Sequence, residues 1–442
     1  MSSPKLTHKK VVGIKTEATQ GTLETLASTD YILAEDVSIK PIPDMIIRDP
    51  KRATLDPLAH VMGMKYVQVS LKTEVKNGGS PGVVYAPLDA ALQACGFVPT
   101  THSGSEAIGS AVASSANLGV SPNPVIAIGT PTFSSISGKL ILRLQSKVVT
   151  GGSEAATFQG EFVPGDGSAS IFDTVTINHS GHTAVAFASA LGAFTLSTDD
   201  PSGGGAGLPV TNWHVGDSWS FVYTSASEVD VTYLPTSAPA SSNYFGPGKS
   251  ATILLFMDGV KHIITGALGT FKVTTAAGKL GYWDFTFTGT YAAPSDVAFP
   301  STSLVTQKPA ILESAGFQIQ GFSGIIDNFE YDVANDVQPR PDANSVNSLL
   351  GFIIVNRKPV GSCDPEVATV ANHAFWDRLM SGTEGALQIT QGNVSGNKVK
   401  FSFPKAQYSD ATYEDRKGLM AYKIPLQFNQ DSGDDHAAIT LF

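Results

Sequence analysis

The stretch that decides the fold runs from Val37 to Lys76. It opens on a short strand signal, Val37-Ser38-Ile39. It then enters a charged, proline-marked excursion, Ile47-Arg48-Asp49-Pro50-Lys51-Arg52-Ala53-Thr54-Leu55-Asp56-Pro57, and closes on a strand from Lys65 to Lys76. In that strand Val67, Val69, Leu71, Thr73 and Val75 fall on one face, and Gln68, Ser70, Lys72, Glu74 and Lys76 on the other. A period of two with one apolar and one polar face marks a half-buried strand. A similar plan recurs between Phe317 and Lys358. There Phe329, Tyr331 and Val333 alternate with Asn328, Glu330 and Asp332, a charged loop follows (Asp336, Arg340, Pro341, Asp342), and an apolar strand closes it (Phe352–Val355). Each series leads to a short helix and then to further strands, a repeat of pattern with little identity.

The bulk properties agree with a β protein. A chain of 442 residues exceeds one ordinary core. Only 15% of residues are charged, while glycine (43) and proline (26) are frequent, which favours short strands joined by turns. A net charge of −10 argues against a sequence-independent DNA-binding surface. Cys95 and Cys363 stand outside any disulfide or zinc pattern. The first ten residues lack an apolar signal core, and no apolar run nears the roughly 20 residues of a membrane helix, so no membrane partner is expected.

Along the chain, Val11–Lys15 is expected as an edge strand or as an arm reaching a neighbouring subunit. Pro87 suits a first helical turn; Leu88, Ala91, Leu92 and Cys95 share one face; Gly96 suits the stop. From Thr100 the texture changes to small residues and then to strand signals, Gly138–Leu144, Thr157–Phe162, Thr174–Ile177, Ala193–Leu196 and Ser218–Tyr223, which suggest an inserted β-sandwich. Asp258-Gly259 is a hairpin signal, and Trp283, Phe285 and Phe287 alternate with polar residues. The expected fold class is mainly β: two β-sandwich domains, 1–100 with 230–300 and 301–442, each with a short flanking helix, plus an inserted β-sandwich at 101–229.

Chemistry is sparse. No phosphate loop, nucleophile elbow or zinc-protease helix is present, so no enzyme, no catalytic residue, no cofactor and no metal is expected. His179 and His182 flank a turn without an adjacent carboxylate, and Asp431–His436 lacks calcium-loop spacing. The long charged loops are the features that need an explanation, since loops of that length are commonly interface-forming or functional, with a mobile solvated hairpin as the alternative. Glu74, Glu330 and Asp332 share polar strand faces.

Several segments together resemble the major tail tube proteins of bacteriophages with long non-contractile tails. They are Gly13-Ile14-Lys15-Thr16-Glu17-Ala18-Thr19-Gln20-Gly21-Thr22, Arg48-Asp49-Pro50, Ala94-Cys95-Gly96-Phe97, Asp258-Gly259 with Phe285 to Asp296, Arg357-Lys358-Pro359, Asp364-Pro365-Glu366 and Tyr413 to Leu419. They cover both flanks and leave out about 100–229. The resemblance implies a structural virion protein, assembled in the host cytoplasm, whose rings stack into a tail tube for DNA ejection. Its partners would be copies of itself, the tape measure protein, and the tail terminator and distal tail proteins, with DNA passing without specific binding. Two tube domains per chain would imply trimeric rings of pseudo-sixfold symmetry; one would imply hexameric rings. Arg48, Asp49, Lys51, Arg52 and Asp56 on one loop, and Asp336, Arg340 and Asp342 on the other, would be inter-ring contacts, and Glu74, Glu330 and Asp332 would line the channel. The alternative is a carbohydrate-binding or adhesin-like protein in which Trp213, Trp219 and Tyr223 form a sugar platform.

Overall fold

The computed structural model describes residues 4–56, 58–103, 229–238 and 248–442, together with Val215 and the strand segments named below for the intervening stretch. The fold is mainly β, with large antiparallel sheets and two short helices among the described residues. Contacts divide the chain into two compact units, 1–101 with 230–442, and 102–229.

The first unit begins with β1 (Lys10–Thr16), β2 (Tyr31–Ile32), β3 (Glu35–Ile46), β4 (Val61–Glu74), α1 (Ala86–Ala94) and β5 (Phe97–Ser103). The second unit holds β6 (Ala107–Ile108), β7 (Val112–Ala113), β8 (Val125–Ile128), β9 (Gly138–Thr150), β10 (Ser153–Pro164), β11 (Ile171–Asn178), β12 (Val185–Ala186), β13 (Phe194–Ser197) and β14 (Ser218–Thr224). The chain returns through β15 (Val229–Pro235), β16 (Ala251–Met257), β17 (Val260–Ala276), β18 (Tyr282–Tyr291), β19 (Ser295–Asp296), β20 (Gln318–Ile319), β21 (Asn328–Asp332) and β22 (Asn335–Pro341). It ends with β23 (Leu349–Arg357), β24 (Val360–Cys363), α2 (Phe375–Met380), β25 (Glu384–Gln391), β26 (Val399–Tyr408), β27 (Thr412–Arg416), β28 (Leu419–Asn429) and β29 (Ala438–Leu441).

Eight strands of the first unit pair in the order β3-β4-β18-β17-β21-β24-β28-β27. Alternation explains the layer beneath them. Val67, Val69, Leu71, Val273, Trp283, Phe285, Phe287, Phe329, Tyr331, Ile424 and Leu426 turn inward and are buried. Opposite them, β15 pairs with β5 and β29, and β29 continues to β26, β25 and β20. One buried cluster runs through residues of 1–100, 230–300 and 301–442. The helix α1 follows its sequence signals: Pro87 lies in the first turn, Gly96 adopts φ +81°, and every residue from Leu88 to Cys95 except Asp89 is buried. Asp258 and Gly259, both with positive φ, turn β16 into β17.

The strands β5 and β15 are neighbours, and the second unit leaves the chain between them. Two adjacent strand ends accept an insertion without disturbing either strand. That unit has a six-stranded sheet, β11-β10-β9-β14-β6 with β7 also on β14, and a three-stranded sheet β12-β13-β8.

Several expectations change. Val11–Lys15 is no arm: β1 pairs with β16 on one side and β2 on the other, and Val12 and Ile14 are buried. Lys76 is buried and bonded to Glu74 at 3.2 Å, because the chain leaves the sheet before it. The short helix expected in the second series spans Phe375–Met380. Trp219 is a core residue against Phe158, with ring centroids 6.2 Å apart, so it offers no sugar platform. Trp213, His179, His182 and the Tyr223 side chain lie outside the described residues. Among the described residues, no helix is long and apolar enough to cross a membrane.

Two histidines are built into this core. Nε2 of His373 lies 2.8 Å from the Tyr408 hydroxyl, and Nε2 of His436 lies 3.0 Å from that of Tyr331. Burial, reinforced by Arg378, pushes the His373 pKa down to about 4; burial, reinforced by Arg357 against a smaller opposing pull from Asp434, pushes His436 down to about 3. An unfolded histidine titrates near about 6.5, so the unfolded chain binds more protons below that pH. The stability contribution is complete above about pH 6.5 and is lost as pH falls toward the folded values, costing about 2 kcal/mol per histidine at pH 5. Urea unfolding is therefore expected to show a lower midpoint at pH 5 than at pH 7, with a shallower pH dependence in His436→Gln. An equal midpoint at both pH values would count against both assignments.

Candidate functional site

The polar face of the eight-stranded path is a cross-strand charge ladder. Direct register places Glu35 opposite Lys72, Lys72 opposite Asp284, Asp284 opposite Lys272, and Lys272 opposite Asp332. Residues opposite one another in antiparallel strands share a face, so five charges alternate in sign across five strands. The next row runs Glu74, Tyr282, Thr274, Glu330, Ser362. The row on the other side runs Ser38, Ser70, Thr286, Thr270. Both ladder lysines are engaged by neighbours on the same face. Nζ of Lys272 lies 2.6 Å from a Glu330 oxygen, and Nζ of Lys72 lies 4.2 Å from the Tyr282 ring centroid. Burial raises the pKa of the Asp284 carboxyl, with Lys72 and Lys272 pulling it back. The expected channel residues Glu74, Glu330 and Asp332 therefore do lie on one face, and it is charge-paired rather than uniformly acidic. Of the interleaved lysines, Lys72 shares β4 with Glu74, while Lys272 comes from β17, distant in sequence from β21.

The two charged segments are placed differently from each other. Arg48, Asp49, Lys51, Arg52 and Asp56 are exposed at the tip between β3 and β4. That hairpin also exposes Met45, Ile46, Ile47, Leu55, Val61 and Met62, with Ile47 at 74% and Leu55 at 105%. Asp336 and Arg340 are not in a loop: they sit on β22, paired with β23. Asp342 begins the turn, where it accepts hydrogen bonds from Asn344 N–H and Ser345 Oγ. The β22–β23 hairpin packs on the first one. Phe352 meets Tyr66 edge-on at 5.8 Å within a small cluster that includes Leu268, Leu349, Ile354 and Met64.

The motif segments meet one another in pairs inside the first unit. Glu17, 1% exposed, accepts hydrogen bonds from Ser250 Oγ (2.6 Å), Gly21 N–H (2.7 Å), Gly266 N–H (2.8 Å) and Thr252 Oγ1 (2.9 Å). Burial raises its carboxyl pKa against the lowering effect of these donors. Arg357 donates to Asn335 Oδ1 (3.0 Å) and to the carbonyls of Gly96 (3.2 Å) and Thr236 (3.3 Å), while Asn335 caps the carbonyl of Cys95 at 2.7 Å. Arg416 joins Asp364 at 3.2 Å and Glu366 at 3.8 Å. These contacts hold the fold and expose no reacting group. Burial pushes the thiols of Cys95 and Cys363 up, away from reactive thiolate.

A groove of about 840 Å³ is lined by Arg357, Lys358, Gln427, Asp434 and His436 among others. His436 is committed to Tyr331, and Asp434 accepts from Ser237 N–H at 2.9 Å. Among the described residues, no group of three or more metal-binding side chains converges. No protein-family model matches the chain, and no curated protein sequence matches it.

Proposed function

We propose that this chain is a structural subunit that assembles with its own copies into stacked rings, forming a phage tail tube through which DNA passes. The observation that carries the reading is the β3–β4 hairpin. Its distal half exposes six large apolar residues beside Arg48, Asp49, Lys51, Arg52 and Asp56. Exposed apolar residues grouped at one place and rimmed by charge mark an association surface. The polar sheet face supports the same reading. Its paired charges and hydroxyls offer phosphate no unengaged ladder cation, as the wall of a conduit requires. In this reading the hairpin tip contacts the next ring, the charge ladder borders the channel, and the tube is part of the virion tail.

Negative-stain electron microscopy of concentrated protein is expected to show rings or hollow tubes, and their symmetry distinguishes three subunits from six. Ile47→Asp with Leu55→Asp is expected to keep the fold, since both side chains are exposed, and to abolish assembly. Assembly undiminished by that pair would remove the hairpin from the interface. A second test concerns the wall. Glu330→Lys with Asp332→Lys is expected to leave tubes intact while giving them salt-sensitive retention of duplex DNA that the parent lacks. Tubes of the variant that release DNA as freely as the parent would place this face away from the lumen.

A further inference from the structure

The base of the β3–β4 hairpin carries a second surface. A groove of about 420 Å³ runs along it, walled by Ile39, Pro41, Pro43, Tyr66 and Tyr291, with Lys65 on its wall. Its outer strand cannot accept a further strand along this stretch. Pro41 and Pro43 have no N–H to donate, and β3 pairs only with β4 among the described residues. Whatever covers the groove therefore binds through side chains. At the other end of the strand path, the β27–β28 hairpin exposes Tyr413, Leu419 and Met420 at 56–62%. Trp376 of α2 lies against Tyr413, with ring centroids 6.0 Å apart, on the face of Met420, while Leu419 shares the other face with Glu414. Glu414 stands beside these residues on β27. Lys65 and Glu414 make no ion pair among the described residues. Arg416 on the same hairpin is held by Asp364 and Glu366, and Asp415, opposite Met420, accepts from Gly418 N–H at 2.6 Å, which leaves the carboxylate of Glu414, on the face of Leu419, as the charge opposed to Lys65, with Lys417 at the turn.

We infer that this groove receives the β27–β28 hairpin of a second copy, with Leu419 against Pro41, Pro43 and Tyr291, and Glu414, on the same face as Leu419, paired with Lys65. Aromatic and proline walls suit a branched apolar side chain, and the opposed charges set the register. The two surfaces differ and sit at opposite ends of one strand path, so the contact is heterologous, the kind that closes into rings. It rests on the self-assembly reading and supplies the lateral contact within a ring, distinct from the hairpin tip proposed between rings.

Single-cysteine variants test it, because Cys95 and Cys363 are both buried. Pro43→Cys mixed with Leu419→Cys is expected to give disulfide-linked dimers on mild oxidation, and neither variant alone is expected to do so. Lys65→Glu and Glu414→Lys are each expected to raise the concentration needed for assembly about tenfold, and the double reversal to restore it, which also shows that the variants fold. Parent protein that assembles while the mixture stays uncrosslinked, or single variants that link to themselves, would overturn this contact and leave the tube reading standing. Parent protein that never assembles would overturn both.

Discussion

The 17 residues of β17 are the constraint on which the rest of the first unit depends. One edge of this strand pairs with β18; the other pairs with β16 near its start and β21 near its end. Between these two neighbours the strand carries a bulge, between Thr265 and Leu268, which bends it. Gly266 adopts φ +61° there, a region that costs glycine nothing. The bulge frees its N–H, and the carboxylate of Glu17 accepts it. Gly269, just past the bulge, lies so close to Phe287 that a Cβ would sit 2.5 Å from that ring. The aromatic cluster of Phe271, Trp283, Phe285 and Tyr331 builds on this approach, with ring centroids 5.4–5.8 Å apart around Phe271.

The same logic explains why motif residues scattered over the sequence meet in space. Arg357 comes from β23 and Gly96 from the end of α1, yet the guanidinium closes that helix end through the Gly96 carbonyl while Asn335 takes the Cys95 carbonyl. Helix ends leave carbonyls without intrahelical donors, and a planar fork of N–H groups satisfies several at once. Arg416 likewise ties the β27–β28 hairpin to the segment after β24 through Asp364 and Glu366. Each joint fixes one long hairpin to the body. A segment thus anchored can carry an apolar tip into solvent without collapsing onto its own core.

The pattern of this fold was legible wherever local periodicity and burial agreed. Val67 to Val75, Trp283 to Phe287, Phe329 to Val333 and Val399 to Phe403 alternate in sequence and in the structure. Leu88 to Cys95 showed its helical face, and Gly96 its stop. What could not be read was pairing between distant strands. Nothing near Lys72 says that Asp284 lies opposite, or that Lys272 comes next. The segment Asp336–Asp342 looked like a loop because prolines and charges fill it, although edge strands tolerate proline where an N–H has no partner to meet. A usable signal was present. Pro41-Ile42-Pro43-Asp44 on β3 and Pro339-Arg340-Pro341 at the end of β22, with Asp342 next in the turn, repeat one spacing on the outer arms of the two hairpins.

Under the tube reading, the ladder answers a problem that a purely acidic wall leaves open. A ring of like charges facing a narrow channel would repel itself as strongly as it repels DNA, at a cost to the folded state. Alternating charges in direct register cancel that repulsion within the sheet, and each pair contributes a small favourable term. The lysines then present little free charge outward: one is bonded to Glu330 and the other lies on the Tyr282 ring. Serine and threonine rows flank the ladder and hydrate without holding phosphate tightly. A polyanion would meet a surface that is wet, mildly acidic and with its lysines already engaged, so passage would require no contact to be broken.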